Sequence, residues 1–176
     1  VSINTSAIGN PELISSAANV FGSSTIVVSI EVIKQSNGKY MAFTDNGRNV
    51  TGKEVVSWAK EVQKLGAGEI SLTSVDREGS GKGFDLTLAK SVTEAVSIPV
   101  VVHGGAGNMK HVLDLANEVT VSGIAIASLF HYNYIKHNRN TEGYEEEGNI
   151  DFLKSNKILS NIQSVSIEEL KSYLLQ

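Results

Sequence analysis

The chain has 176 residues and a mass of 18.8 kDa, enough to bury one good core, so a single domain is expected. Its 41% hydrophobic and 19% charged residues are ordinary for a globular protein, and a net charge of −4 with a pI near 5.6 argues against nucleic acid or a membrane surface as partner. Cysteine is absent, which excludes disulfides and thiolate metal sites and fits the cytoplasm; no apolar run approaches a membrane span and no signal peptide is visible.

In chain order, β-branched runs alternate with helical patterns. The predicted strands are VSIN (1–4), TIVVSIE (25–31), GEISLTSV (68–75), PVVVH (99–103) and GIAIAS (123–128). This alternation predicts βα units and a parallel sheet, and the nearly continuous apolar runs predict strands covered on both faces. Asn10, Pro11 and Glu12 supply an N-cap, a proline at the first helical position and an early acid. The segment opened by Thr51-Gly52-Lys53-Glu54 carries Trp58, Ala59, Val62 and Leu65 as an apolar stripe. Asp85 and Asn108 stand where they cap the next two helices, and Ser166 with Glu169 has capping-box spacing before the last one.

Two features interrupt this rhythm. After the second strand, VIKQ-SNGK-YMAFTD predicts a β-hairpin around Asn37-Gly38. Residues 137–165 begin polar, acidic and glycine-interrupted, and predict a surface insertion before the final helix. The chain starts at Val1 without Met, and VSINT already reads as strand, which predicts further sequence upstream. Five strands fit within 176 residues, whereas a complete eightfold barrel needs about 250 residues.

Functional residues of parallel α/β folds gather at the carboxyl ends of strands. Here that rule collects Asn4 and Thr5, Glu31, Asp76 to Gly79, Gly104 to Gly107, and Ala127 with Ser128. The stretch VVVHGGAGN (100–108) runs from a strand through three glycines into a capped helix. Such a turn lets backbone N–H groups and the positive end of the helix face an anion, and it serves equally as a tight turn with no ligand. The pattern alone leaves both readings open. Asn4 and Thr5 read as turn formers as readily as anion ligands. Glu31 is either a strand terminus or a general acid/base facing a pocket. No metal-ligand spacing, Walker loop, nucleophile elbow or dinucleotide fingerprint is present, so no metal and no cofactor are expected.

VSINTSAIGNPELI, GAGEISLTSVDREGSGKGFD, VVVHGGAGNMKH and IAIASLFHY together resemble the cyclase subunit of imidazole glycerol phosphate synthase. The likeness runs nearly end to end and preserves motif order. It implies the carboxy-terminal part of a single (βα)8 barrel, strands four to eight, without the first three βα units. It also implies two phosphate sites for a long, twofold-phosphorylated substrate and ammonia supplied by a glutaminase partner. The products implied are imidazole glycerol phosphate and an aminoimidazole carboxamide ribotide, in histidine biosynthesis. By position, Asn4 and Thr5 match phosphate contacts of one half, and Gly79, Gly105, Ala127 and Ser128 those of the other, where Gly104 adjoins. Thr73 matches a hydroxyl lining the active site, Glu31 a catalytic acid/base, and Glu69 a member of the charged gate for ammonia.

The departures are specific. Glu31 and Glu78 stand where the family usually has Asp, and His103 stands where Ser is usual. Glu lengthens the arm, and misplacing a catalytic group by about 1 Å costs on the order of a hundredfold. The other catalytic Asp belongs to the first barrel strand, so this chain alone is expected to be inactive. The insertion after LFHY resembles instead a paralogous group associated with surface-polysaccharide biosynthesis, which implies ammonia delivery to an activated sugar. A third reading is a non-catalytic, phosphate-binding half-barrel. An open edge and half a barrel interior predict self-association of the chain on its own.

Overall fold

A computed structural model describes residues 1–137 and 161–175. The insertion expected over 137–165 lies mostly outside these residues; of its described end, Ile162 and Val165 are buried.

In chain order the elements are β1 (Ser2–Ile3), α1 (Thr5–Gly9), α2 (Glu12–Phe21), a 3₁₀ turn (Ser23–Thr25), β2 (Val27–Lys34), β3 (Tyr40–Thr44), β4 (Asn49–Glu54) and α3 (Val55–Lys64). They continue with β5 (Glu69–Ser74), α4 (Leu86–Thr93), β6 (Val100–His103), α5 (Met109–Glu118), β7 (Gly123–Ala125), α6 (Ser128–His137) and α7 (Ile167–Leu174). The described strands form one seven-stranded sheet in the order β4-β3-β2-β5-β6-β7, with β1 pairing β2. The five expected strands β1, β2, β5, β6 and β7 are mutually parallel, and the β2–β3–β4 excursion is antiparallel. β1 and β3 share one edge of β2, β1 at residues 27–28 and β3 at residues 31–34, while β5 takes the other edge. This is an open part of a TIM-type barrel.

One face of the sheet is sealed by helices. Val28, Ile30 and Val32 of β2, Ile70 and Leu72 of β5, and Val100 and Val102 of β6 are buried. With them are buried Trp58, Ala59 and Val62 of α3, Leu88 and Val92 of α4, and Val112 and Leu115 of α5. The expectation of strands covered on both faces holds only in part. The alternate residues Val27, Ser29 and Glu31, then Glu69 and Ser71, then Val101 and His103, are half-buried, because the barrel is not closed over them, whereas Thr73 on the same face is buried. Val20 and Phe21 of α2 are 72% and 69% exposed, a second apolar surface without a partner among the described residues.

Local signals explain most boundaries. Asp85 accepts from the Leu88 N–H, Asn108 from the His111 N–H, and Ser166 and Glu169 form the reciprocal capping box. Three boundaries differ from expectation. Asn10 makes no side-chain cap; α2 begins after Pro11, and Asn10 contributes only its carbonyl, which accepts from the Leu13 N–H at 3.0 Å. Residues Thr51 to Glu54 belong to β4, and Glu54 itself caps α3 by accepting from the Val56 and Ser57 N–H groups. β7 also stops at Ala125, so Ser128 opens a helix instead of ending a strand.

Candidate functional site

Strand register assembles the site on the open face. Glu31 pairs with Thr73, Thr73 with His103, and His103 with Ala125. Paired residues point to the same side, so Glu31, Thr73 and His103 form one cross-sheet row, stepping about 5 Å per strand. The row beneath is Ser29, Ser71 and Val101. Glu69, paired with Val27, starts β5 on this same face. Thr73 lies four positions further on, about 13 Å along the strand, so Glu69 and Glu31 lie toward opposite ends of the open face.

Beyond the upper row the loops close a pocket of about 260 Å³. Glu78 and Gly79 reach it from the β5–α4 loop, Gly104 and Gly105 from the β6–α5 loop, and Ala127 and Ser128 from the start of α6, with His103 at its wall. Six residues singled out in the sequence thus share one cavity. Asn4 and Thr5 do not; they follow β1, at the opposite edge of the parallel set. Asn4 precedes α1 and makes no side-chain cap, and Thr5 is exposed.

The glycines of VVVHGGAGN are required by close backbone approach. At Gly105 (φ +117°) a Cβ would overlap the Gly83 carbonyl, and the Gly83 N–H donates to the Gly105 carbonyl at 2.8 Å. At Gly107 a Cβ would overlap the Gly81 carbonyl and lie 2.7 Å from the Asn161 carbonyl oxygen. The two loops are packed backbone to backbone, with the 161–165 segment behind them: the Gln163 N–H donates to the Gly107 carbonyl at 2.7 Å. His111, absent from the sequence-derived candidates, completes this scaffold. Its Nδ1 accepts from the Gly107 N–H at 3.1 Å, so that nitrogen is the unprotonated one. The Gly105 and Ala106 N–H groups donate to no described residue.

Glu31 has a partner that sequence reading missed. Its Oε2 accepts from the Gly47 N–H at 3.0 Å. Gly47 sits at the tip of the β3–β4 hairpin, where Asp45, Asn46 and Gly47 all have positive φ (56°, 55° and 78°). Asn46-Gly47 is a strong hairpin signal, but its contact with Glu31 depends on how the hairpin folds back over β2. Nearby, the Lys34 N–H donates to Asp76 Oδ2 at 2.8 Å, tying the end of β2 to the β5–α4 loop. Tyr40 donates to the Asp85 carboxylate at 2.9 Å. Burial, then the Asp85 hydrogen bond and charge, push the Tyr40 phenol up to about 12.

The geometry offers a carboxylate, a hydroxyl and an imidazole in one row, beside a glycine-lined cavity whose Gly105 and Ala106 N–H groups donate to no described residue. That arrangement can hold an anion at one end of a ligand and exchange a proton along it. A family profile described as "Histidine biosynthesis protein" matches residues 1–136. The chain is also 44% identical over 135 residues to the imidazole glycerol phosphate synthase subunit HisF of Alkaliphilus metalliredigens (strain QYMF), a match covering 77% of this chain and 54% of that protein. The chain spans about half the length of this curated relative.

Proposed function

The chain belongs to the histidine biosynthesis protein family, and from that membership we propose that it is the carboxy-terminal part of an ammonia-using cyclase barrel acting in the cytoplasm with a glutaminase subunit. The observation that carries this reading is the 260 Å³ pocket, which gathers Gly79, Gly104, Gly105, Ala127 and Ser128 beside the Glu31–Thr73–His103 row. In this reading the pocket holds one phosphate of a twofold-phosphorylated substrate. Backbone N–H groups of the glycine loop and the positive end of α6 favour the anion, and Ser128 adds a hydroxyl. Asn4 and Thr5, at the other edge, hold the second phosphate. The length between the two sites then lies across β2, β5 and β6, over Glu31 and Thr73.

Glu31 is assigned as the general acid/base, held toward the open face by the Gly47 N–H. Thr73 orients the reacting portion by its hydroxyl. Glu69, at the far end of the same face, stands where ammonia enters, so ammonia travels about 13 Å along β5 before meeting substrate. Cyclisation then yields imidazole glycerol phosphate and the carboxamide ribotide.

The test supplies the amino-terminal half of the Alkaliphilus subunit, fused to or mixed with this chain, and follows ammonia-dependent cyclisation. Turnover lost in Glu31→Gln is the expected result. Turnover untouched by Glu31→Gln would remove Glu31 from catalysis. A complete barrel that binds substrate phosphate but never turns over would favour the phosphate-binding half-barrel. The insertion after LFHY motivates the second reading, ammonia delivery to an activated sugar, which Glu31 and Glu78 in place of the family's usual Asp also fit; turnover of such a sugar in place of the twofold-phosphorylated substrate would establish it. Alone, the chain is expected to self-associate through its open face and through Val20 and Phe21; a monodisperse monomer in sedimentation would contradict this.

A further inference from the structure

We propose that His103 is a phosphate-contacting residue and that it brings to the pocket the positive charge its other walls lack. The inference rests on the reading of this pocket as a phosphate site and assigns a role to a residue which that reading leaves idle.

The wall chemistry is unbalanced without it. Among the described residues that line the cavity, Glu78 contributes a carboxylate and no Lys or Arg is present. Arg77, adjacent in sequence, turns its guanidinium to the Lys82 carbonyl, with Nη1 to oxygen at 3.4 Å. The Gly107 N–H is already donated to His111 Nδ1 at 3.1 Å, which withdraws one donor of the glycine loop. What remains for an anion is the Gly105 and Ala106 N–H groups, the N-terminal N–H groups of α6, the Ser128 hydroxyl and His103. All but His103 are neutral dipoles. An anionic ligand facing Glu78 is repelled at close range, and a charge-assisted hydrogen bond is about twice as strong as a neutral one.

His103 is placed for this role. It ends β6, pairs with Thr73 and Ala125 on the open face, and lines the cavity directly before Gly104. Its imidazole is half-buried and has no hydrogen-bond partner among the described residues. It also stands between the pocket and Glu31, where the family's usual Ser offers a hydroxyl that cannot carry charge. The substitution therefore changes the kind of recognition at this wall from a neutral donor to an ionisable one.

The experiment titrates the chain with glycerol phosphate, by calorimetry and by observing the histidine ring protons, for wild type, His103→Ser and His103→Gln. We expect saturable binding by wild type, a selective shift of the His103 ring resonances, and an affinity about tenfold weaker in His103→Ser. His103→Gln keeps an N–H donor without charge and is expected to fall between the two. Equal affinity in wild type and His103→Ser, or an unmoved His103 ring signal on saturation, overturns the proposal while leaving the phosphate pocket intact. Wild-type affinity in His103→Gln overturns the charge and leaves only a donor. If wild type shows no saturable binding, the phosphate reading of the pocket fails and this inference falls with it. The His103 ring signal is read on unmodified protein, so a variant that misfolds does not remove the test.

Discussion

Gly47→Ala is the sharpest test of how the hairpin serves the site. Gly47 has φ +78°, and a Cβ there would lie 2.8 Å from Val75 Cγ1 and 3.2 Å from Ile33 Cδ1. The left-handed backbone costs an L-residue about 1–2 kcal/mol. The added methyl presses on the ends of two side chains that can rotate, so the overpacking cost belongs at the low end, about 1 kcal/mol. If the tip shifts to relieve this, the 3.0 Å bond to Glu31 is lost, and a hydrogen bond to a charged group contributes about 1.5–3 kcal/mol. Reduced freedom of the unfolded chain offsets about 0.5 kcal/mol. The net expectation is a destabilisation of about 3 kcal/mol, measured by urea unfolding at low protein concentration. Glu31→Gln supplies the control: in its background, Gly47→Ala should cost about 1 kcal/mol less, because the charged acceptor is already gone. A loss below about 0.5 kcal/mol, or the same loss in both backgrounds, would refute the claim that the hairpin tip and Glu31 are coupled.

Three further outcomes follow from the same contacts. Gly105→Ala meets the Gly83 backbone, which cannot rotate away, so it should destabilise by at least about 3 kcal/mol and abolish glycerol phosphate binding; retained binding would detach the glycine loop from the pocket. The Tyr40 phenol, at about 12 against an ordinary 10.0, gives stability that is complete below pH 10 and lost as pH rises through 12. Tyr40→Phe should flatten that alkaline loss, and a phenolate absorbance titration with all tyrosines ionising near 10 would contradict it. Burial pushes the Glu54 carboxyl up, but the Val56 and Ser57 N–H bonds and the Ser57 hydroxyl outweigh it and hold it below the ordinary value. Its contribution is thus present above the usual carboxylate range and disappears as pH falls through its folded pKa; Glu54→Ala should cost about 1 kcal/mol at neutral pH and little in acid.

Relations written over a few residues were legible in the sequence. Asp85, Asn108 and the Ser166–Glu169 pair cap their helices because each bond closes within three positions. The five parallel strands and the Asn37-Gly38 turn follow from β-branched runs and turn residues, and the rule of carboxyl-terminal strand ends collected the residues that now share one cavity. β4 was not legible, since NVTGKE carries no apolar alternation and pairs only because β3 is beside it. The Asn10 cap failed for a related reason: Pro11 closes the turn with backbone bonds, leaving the side chain without a role.

What the sequence by itself determined, then, is the order of elements, their caps and which residues stand at strand ends, all set by local sterics and hydrogen bonds. Only the tertiary structure decided that the second face of the sheet lies open and that Glu31 is met by Gly47 sixteen residues away. It also decided that the glycines of VVVHGGAGN face other backbone, at Gly81 and Gly83, as well as a pocket. Those relations depend on how loops from different strands come to share one volume, and excluded volume between distant segments leaves no periodicity in either of them.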